Sequence, residues 1–135
     1  SAKTRELKIP QALKDIIRDF SSKYVLAIVS STTSYIIKDI LVREGVGIYF
    51  KDILGTDVNT SKVVKNKMLL EKYKVKPEES IFITDTVGDI LEARKCEIKS
   101  IAVSWGFHEE KTLLKASPAR IVHTPSELLE AIKGM

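Results

Sequence analysis

Short apolar runs alternate with segments of helical periodicity along this chain, and this alternation restricts its fold more than any other feature. The clearest runs cover residues 24–29 (YVLAIV) and 81–84 (IFIT), and continuous runs of this kind are typical of strands buried on both faces. A weak short strand is predicted around residues 53–54, a further strand at residues 100–105 and a short last strand at residues 121–122. Strands that alternate with amphipathic helices indicate an α/β fold, a three-layer, Rossmann-like parallel sheet with helices on both faces.

Capping residues predict where several helices begin and end. Pro10 suits the first turn of a helix that carries apolar residues as far as Phe20, and Gly45 suits the C-cap of the next helix. Residues 124–127 (TPSE) have the form of a capping box with proline at the first helical position. A further helix is predicted from about Lys62 to Tyr73, with four residues on its inner face: Val63, Val64, Met68 and Leu69.

The composition is that of one globular domain spanning residues 1–135. The 22 basic and 18 acidic residues give a net charge of +4, and the lysine clusters lack interleaved aromatic residues, so we expect them on solvated helix faces. No apolar run is long enough to span a membrane, and no signal peptide is recognisable. The single cysteine excludes an internal disulfide and suits a reducing compartment. We therefore expect a cytoplasmic protein that binds neither nucleic acid nor membrane.

Two carboxylates follow the strand predicted at residues 81–84. Asp85 ends this strand, and Asp89 lies four residues later in the opening turn of the next helix, on the same helix face. Neighbouring acids repel each other unless a cation lies between them, and an oxygen-rich pair with open positions suits Mg²⁺. The same residues could instead be N-terminal acids that stabilise the helix dipole. Gly88 between them permits a close backbone approach and favours the metal site.

Other polar residues also follow predicted strands, which is where ligands bind in parallel α/β sheets. Ser30 and residues 31–33 offer hydroxyl and backbone N–H donors to an anion, although the same residues suit a helix N-cap. Lys62 could neutralise a phosphate, although a lysine on a solvated helix face gives the same sequence signal.

The remaining candidates carry weaker signals. Residues 105–108 (WGFH) follow a strand at the same predicted edge and could line a substrate entrance or cover the sheet edge. Cys96 is expected to pack at a helix end and not to act as a nucleophile. The sequence predicts no partner for His108 or His123.

Taken together and in order, these residues resemble the haloacid dehalogenase-like hydrolase superfamily. The stretch IFITDTVGDILEARKCEIKSIAVSWGF resembles that family's fourth motif and the strand after it. LAIVSST resembles the second motif, NTSK the third, and PARIVHTPSELLEAI the usual C-terminal strand and helix. The similarity covers nearly the whole chain from about Ile9, and it is greatest to the phosphoglycolate-phosphatase-like branch.

The resemblance implies an Mg²⁺-dependent phosphatase that acts on a small phosphorylated metabolite. Asp85 and Asp89 would hold the Mg²⁺ ion. Ser30 would hydrogen-bond the phosphoryl group with the help of the Ser31 backbone N–H, and Lys62 would neutralise charge between phosphate and nucleophile. In the family an aspartate attacks phosphorus to give an aspartyl-phosphate, and a second aspartate two residues later acts as general acid and base.

The sequence departs from the family pattern in its first motif. A strand ending in D-x-D-x-T/V should precede every segment described above, and residues 1–135 contain neither this motif nor a cap domain. Asp15 and Asp19 lie on a predicted helix, and Val87 stands at the second position after Asp85, so neither segment replaces the motif. The chain therefore resembles an incomplete core domain that lacks the usual central first strand.

The missing strand has a structural consequence, because the resemblance places it between the strands predicted at residues 24–29 and 81–84. An unpaired buried backbone group costs on the order of 1–3 kcal/mol, so an open slot should not persist. The two strands could pair directly, a second chain could fill the gap as in a homodimer, or residues 7–9 could supply a substitute strand. We expect closure or filling by a second copy.

Three functions remain open from the sequence. The leading hypothesis is a phosphatase core that is truncated or inactive as this chain, with little or no turnover in isolation. The alternative is a non-catalytic domain of the same fold that binds a phosphorylated ligand or another protein. A receiver domain of the response-regulator type is a weaker alternative, because no acidic pair can be placed on a first strand.

Overall fold

The computed structural model describes residues 8–135, and the chain divides after Ser61 into two compact units. Every strand pairing is parallel, which confirms the α/β class predicted from the sequence. Leu7, the first residue of the expected substitute strand, lies outside the described residues, and Lys8 and Ile9 are not part of a strand.

The first unit is built from two helices that flank a pair of short strands. In chain order these elements are α1 (Gln11–Ser21), β1 (Ala27–Val29), α2 (Ser34–Arg43), a 3-10 turn (Gly47–Tyr49) and β2 (Asp52–Leu54). β1 pairs with β2 along its whole length. Ile37, Leu41 and Val46 form the core of this unit. Glu44 is the C-cap of α2, and Gly45 follows it with a φ of +75°, so the glycine predicted to end this helix lies one residue beyond the C-cap.

The second unit contains a three-stranded parallel sheet with the order β3-β4-β5. Its elements are α3 (Lys62–Tyr73), a 3-10 turn (Pro77–Glu79), β3 (Ile81–Thr84), α4 (Val87–Lys95), β4 (Lys99–Val103), α5 (Glu110–Leu114), β5 (Arg120–Val122) and α6 (Pro125–Lys133). Ala102 of β4 packs with Ile90 of α4 and Leu113 of α5. Ile101 and Val103 alternate to the opposite face and are also buried, and α6 packs against β4 and β5. Helices therefore cover both faces of this sheet, as predicted.

Side-chain caps explain where α4 and α6 begin. The Thr86 hydroxyl oxygen accepts a hydrogen bond from the Asp89 N–H at 3.3 Å, and that of Thr124 accepts from the Glu127 N–H at 3.1 Å. Proline occupies the first position of α6, as predicted. The Glu127 carboxylate reaches back to the His123 N–H at 2.8 Å, one residue before the cap, so the predicted capping box is present in a shifted form.

The predicted burial of two strands on both faces is wrong. Of residues 24–29 only Ala27–Val29 form a strand, and Tyr24 is 51% exposed. Ile83 in β3 is also exposed, whereas β4 is buried from Ser100 to Val103. The physical reason is the number of neighbours. β4 lies between two strands, whereas in the described part of the chain β1 pairs with β2 alone and β3 with β4 alone.

The same pairing pattern bears on the missing central strand. Within residues 8–135, β1 and β3 each keep one edge without a ladder partner, so the direct closure of these two strands is not observed. Filling of these edges by a second chain stays a prediction, and so does the organisation of residues 1–135 as a single domain.

Helix α3 has the predicted bounds but a different inner face. Val63 and Leu70 pack against the core of the second unit. The fully buried positions carry Lys65 and Asn66, which are polar and therefore give no hydrophobic signal in the sequence. Two residues of the predicted inner face are exposed: Val64 and Met68.

Cys96 is buried where α4 ends, as predicted. Its Sγ lies 3.5 Å from the Val63 carbonyl oxygen, and burial raises the pKa of the thiol, so the structure gives no sign of an activated thiolate. Among residues 8–135, no helix has the length and apolar composition needed to cross a membrane.

Candidate functional site

β3 brings two carboxylates to the beginning of α4. The strand ends at Thr84, Asp85 follows directly, and Asp89 lies in the first turn of the helix. The β3–α4 loop, residues 85–86, therefore begins with one carboxylate, and the second carboxylate lies in the first turn of the helix that follows. Both predicted metal ligands lie at the carboxyl end of this strand, the edge where ligands bind in parallel sheets.

Asp89 is held from two sides. The Lys62 Nζ lies 2.5 Å from Oδ1 of Asp89, and the Thr84 hydroxyl donates a hydrogen bond to Oδ2 at 2.6 Å. The side chains of Lys62 and Asp89 are only 15% and 13% exposed, so their attraction is screened less than that of a surface ion pair. The lysine and one of the carboxylates predicted from sequence are thus in direct contact.

Asp85 is enclosed by the loop that follows β4. Its Oδ2 accepts a hydrogen bond from the Phe107 N–H at 2.8 Å, and its carbonyl oxygen accepts one from the His108 N–H at 3.1 Å. A Cβ atom at Gly106 would lie 2.3 Å from both Cβ and Oδ2 of Asp85, far inside van der Waals contact. Only a glycine at this position allows the two loops to approach so closely.

His108 connects the same loop to α4. The Val87 N–H, at the first position of the helix, donates a hydrogen bond to Nδ1 of His108 at 3.0 Å. The first N–H groups of a helix have no acceptor within the helix, so His108 satisfies one of them. Because Nδ1 accepts, the proton of the neutral ring is on Nε2. The sequence predicted no partner for His108. In the structure its partner is the backbone at the beginning of α4.

The chemistry of these side chains fits Mg²⁺. This ion is commonly held by one or two carboxylates, with waters and substrate phosphates completing its shell. Among residues 8–135, no group of three or more His, Cys, Asp or Glu side chains could hold a metal. Asp85 Oδ1 has no hydrogen-bond donor in the described part of the chain and is open to a cation, whereas both oxygens of Asp89 are already engaged.

The predicted anion-binding residues lie in the first unit, in the β1–α2 loop (residues 30–33). The Ser30 N–H donates to the Leu54 carbonyl oxygen at 3.0 Å, and the Ser30 Oγ accepts from the Thr32 N–H at 3.0 Å. Ser31 is exposed. The predicted phosphate ligands thus belong to one unit, and the predicted metal ligands with Lys62 belong to the other.

Asp57 supports the β1–α2 loop from the end of β2. Its Oδ1 accepts a hydrogen bond from the Ser34 N–H at 2.7 Å, and the Ser34 hydroxyl accepts one from the Gly55 N–H at 2.9 Å. The bond from the Ser34 backbone is the main reason why the pKa of Asp57 is lowered. A Cβ atom at Gly55 would lie 2.4 Å from the Ser34 nitrogen and the Thr32 carbonyl oxygen, so this position also excludes a side chain.

The other aromatic and histidine candidates are largely accessible to solvent. Phe107 is 76% exposed, which does not suit a residue that covers a sheet edge, and its ring lies 4.9 Å from that of His108. His123, which had no predicted partner, has Nε2 at 2.6 Å from Glu110 and Nδ1 at 3.0 Å from Glu127. The hydrogen bond to Glu110, followed by that to Glu127, raises the pKa of His123.

Three residues that support the two loops were given no such role from the sequence: Thr84, Gly106 and Asp57. Thr84 is a polar residue at the end of an apolar run, and Gly106 follows a predicted strand at the right edge, so both carried a detectable signal. Asp57 carried no such signal, because its hydrogen-bond partner Ser34 is 23 residues away in the sequence. Gly88 was expected to permit a close approach, but a Cβ atom there would meet only Glu92 Oε1, at 3.9 Å. Gly106 is therefore the glycine that this site requires.

Comparison with known sequences identifies relatives over most of the chain. The sequence model of the haloacid dehalogenase-like hydrolase family matches residues 1–103. A phosphoglycolate phosphatase of Vibrio parahaemolyticus is 30% identical over 112 residues, which cover 81% of this chain and 49% of that protein. A phosphoglycolate phosphatase of Synechococcus elongatus is 27% identical over 127 residues, which cover 93% of this chain and 60% of that protein. The chain spans about half the length of the curated relatives it matches.

Solved structures share the fold. A haloacid dehalogenase-like family hydrolase from Streptococcus pneumoniae superposes with a TM-score of 0.83 at 30% identity, covering 92% of this chain and 59% of that chain. A predicted phosphatase from Clostridium acetobutylicum gives a TM-score of 0.80 at 26% identity, covering 93% of this chain and 58% of that chain. These likenesses confirm the Rossmann-like α/β fold and the family resemblance that the motifs indicated.

Proposed function

Since this chain belongs to the haloacid dehalogenase-like hydrolase family, in its phosphoglycolate-phosphatase-like branch, we propose that it forms the metal-binding part of an Mg²⁺-dependent phosphatase core. The observation that carries the proposal is the arrangement at the beginning of α4. Asp85 offers an open carboxylate oxygen, and Asp89 is fixed in place by Lys62 and Thr84. Phosphoryl transfer depends mainly on positioning and on charge neutralisation, and this arrangement supplies both.

The residues of the second unit take the following roles in this proposal. Asp85 and Asp89 hold Mg²⁺, which when bound would neutralise charge on the phosphoryl oxygens. Lys62 balances the charge of Asp89 and adds a positive charge for the phosphate. The Thr84 hydroxyl keeps the Asp89 carboxylate in one orientation, as outer-shell hydrogen bonds commonly do for metal ligands.

Ser30 and Ser31 are proposed as phosphoryl ligands on the strength of the family resemblance. The Ser30 hydroxyl would donate to a phosphoryl oxygen, and the Ser31 backbone N–H would assist it. A hydroxyl can accept one hydrogen bond while it donates another, so the bond that Ser30 accepts from the Thr32 N–H is compatible with this role.

Residues 1–135 contain no first-motif aspartate, so the proposed nucleophile comes from a segment outside these residues, in the same protein or in a second copy. The unpartnered edges of β1 and β3 within residues 8–135 support this proposal, because a strand added to either edge would satisfy the backbone groups of that edge. The substrate would be a small phosphorylated metabolite, and neither nucleic acid nor membrane is expected as a partner. A cytoplasmic location is also proposed, supported by the single free cysteine.

The proposal is tested by measuring Mg²⁺ binding and phosphatase turnover on the same protein. Calorimetry should detect Mg²⁺ binding that Asp85→Asn abolishes and that Glu97→Gln, an exposed charge beyond the other end of α4, leaves unchanged. Hydrolysis of p-nitrophenyl phosphate and phosphoglycolate by residues 1–135 should not exceed the buffer rate. Turnover that Asp85→Ala abolishes would contradict the inactive state of this chain, and absence of Mg²⁺ binding would contradict the metal site.

The second candidate function is a non-catalytic domain of the same fold that binds a phosphorylated ligand or a protein. Both candidates predict binding of Mg²⁺ and inorganic phosphate by the isolated chain. They differ for a longer protein that includes the sequence encoded upstream of Ser1. A D-x-D-x-T/V motif there, together with turnover by the longer protein, supports the phosphatase, whereas binding without turnover supports the non-catalytic domain.

A further inference from the structure

We propose that His108 is a positioning residue, which together with Gly106 clamps backbone residues 85–87 so that the Asp85 carboxylate keeps one oxygen directed to a cation. The inference rests on the proposed function in one respect, because the cation is the one assigned there to Asp85 and Asp89. Neither the motif pattern nor the spacing of the acids indicates a role for His108.

The clamp consists of three hydrogen bonds between residues 85–87 and residues 106–108, and each of the two segments contributes donors. The Phe107 N–H donates to Asp85 Oδ2 at 2.8 Å, and the His108 N–H donates to the Asp85 carbonyl oxygen at 3.1 Å. In return, the Val87 N–H donates to His108 Nδ1 at 3.0 Å. Residues on both sides of the loop are therefore fixed, and the absence of a side chain at Gly106 lets the segments lie in contact.

The bond to Oδ2 determines how Asp85 can serve a metal. A free aspartate side chain rotates among several rotamers, and ordering it on metal binding costs free energy. The Phe107 N–H holds one oxygen of the carboxylate, which leaves Oδ1 open in a fixed direction. Since the His108 side chain holds residue 107 and its neighbours against the helix, loss of the imidazole should loosen this orientation.

The choice of histidine follows from charge. The N–H groups at the beginning of α4 need an acceptor, and an aspartate would provide one, as Asp57 does for α2. Near Asp85 and Asp89, however, a third carboxylate would add repulsion to the metal-free protein. A neutral imidazole accepts the hydrogen bond through Nδ1 without adding negative charge.

The test compares His108→Ala with His108→Asn, whose side-chain oxygen occupies the same bonded position as Nδ1, and with His108→Gln, whose oxygen is one atom further out. Two quantities are measured: hydrogen exchange of the Val87 amide in metal-free protein, and the Mg²⁺ dissociation constant by calorimetry. In His108→Ala we expect Val87 exchange to accelerate about five- to tenfold and Mg²⁺ affinity to fall roughly 10-fold. His108→Asn should restore both, and His108→Gln should not.

His123→Ala is the matched control, since this histidine bonds Glu110 and Glu127 and should leave both quantities unchanged. Unchanged Val87 exchange and Mg²⁺ affinity in His108→Ala would overturn the clamp, as would failure of His108→Asn to restore them. Failure of the wild-type protein to bind Mg²⁺ would overturn the proposed function, and the Val87 exchange measured without metal separates that result from failure of the clamp.

Discussion

The β1–α2 loop and the β3–α4 loop are built on the same plan with different chemistry. Each follows a parallel strand and leads into a helix, and each is supported by a loop that follows the neighbouring strand. In the first unit Asp57 accepts the Ser34 N–H, and in the second His108 accepts the Val87 N–H. Each supporting loop also contains a glycine, Gly55 or Gly106, at which a Cβ atom would collide with the loop that it supports.

The difference lies in charge. Residues 30–34 (SSTTS) carry no acid, and their support is the carboxylate of Asp57. The β3–α4 loop contains Asp85, and Asp89 follows it in α4. The loop is supported by the neutral imidazole of His108, and Lys62 forms an ion pair with Asp89. This contrast indicates that the polarity of each support is matched to its loop: a negative support beside an uncharged loop, and neutral or positive groups beside an acidic one.

The largest predicted effect concerns the charge that only the second loop has. Lys62→Met should lower the free energy of unfolding by about 3 kcal/mol, because it leaves the largely buried Asp89 without its counter-ion. Asp57→Asn, which keeps an acceptor for the Ser34 N–H, should have a much smaller effect. Urea denaturation of both variants measures the difference.

A double variant supplies the control for this prediction. Lys62→Met combined with Asp89→Asn should recover part of the lost stability, since no unpaired charge remains. If Lys62→Met unfolds at the same urea concentration as the wild type, the ion pair contributes nothing and the proposed electrostatic contrast between the loops is wrong.

The second prediction tests the shared part of the plan. Gly55→Ala and Gly106→Ala should each lower the free energy of unfolding by about 2 kcal/mol, because the added Cβ would lie 2.4 Å and 2.3 Å from its nearest neighbours. Gly88→Ala is the matched control: its Cβ has open space, and alanine raises helix propensity by up to about 1 kcal/mol. Thermal unfolding measures the stability of the three variants. Equal unfolding temperatures for all three would contradict the steric argument.

The third and smallest predicted effect is the pH dependence of the stability that Asp57 contributes through its hydrogen bond to the Ser34 N–H. Its pKa is lowered from 3.8, so the stabilisation is fully present above that value and is lost as pH falls through the lower pKa of the folded state. The stability difference between the wild type and Asp57→Asn should therefore shrink as pH falls below about 3.8. A carbon-13 titration of the Asp57 carboxyl measures the pKa directly, and a value at or above that of an unfolded aspartate would contradict the strength of this bond.

Most elements of both units and the acids that follow β3 could be predicted from the sequence, because strand runs and helix periodicity are local patterns. The exception is the five-residue helix α5 (Glu110–Leu114), which is too short to show a clear periodicity. The two residues that support the loops, Asp57 and His108, could not be predicted in this way. Asp57 and His108 act over 23 and 21 positions of sequence separation, and no local pattern links them to Ser34 or Val87. The burial of β1 and β3 was overestimated, since the apolar character of a strand does not report how many neighbours the strand has.

Paramagnetic NMR can locate the divalent cation that we propose is bound where β3 meets α4. Mn²⁺ added at substoichiometric concentration, as a paramagnetic substitute for Mg²⁺, broadens the amide signals of residues close to it. We expect broadening centred on residues 85–89, which excess Mg²⁺ reverses and which is absent in Asp85→Asn. Broadening centred elsewhere, or equal broadening in the wild type and Asp85→Asn, would contradict it.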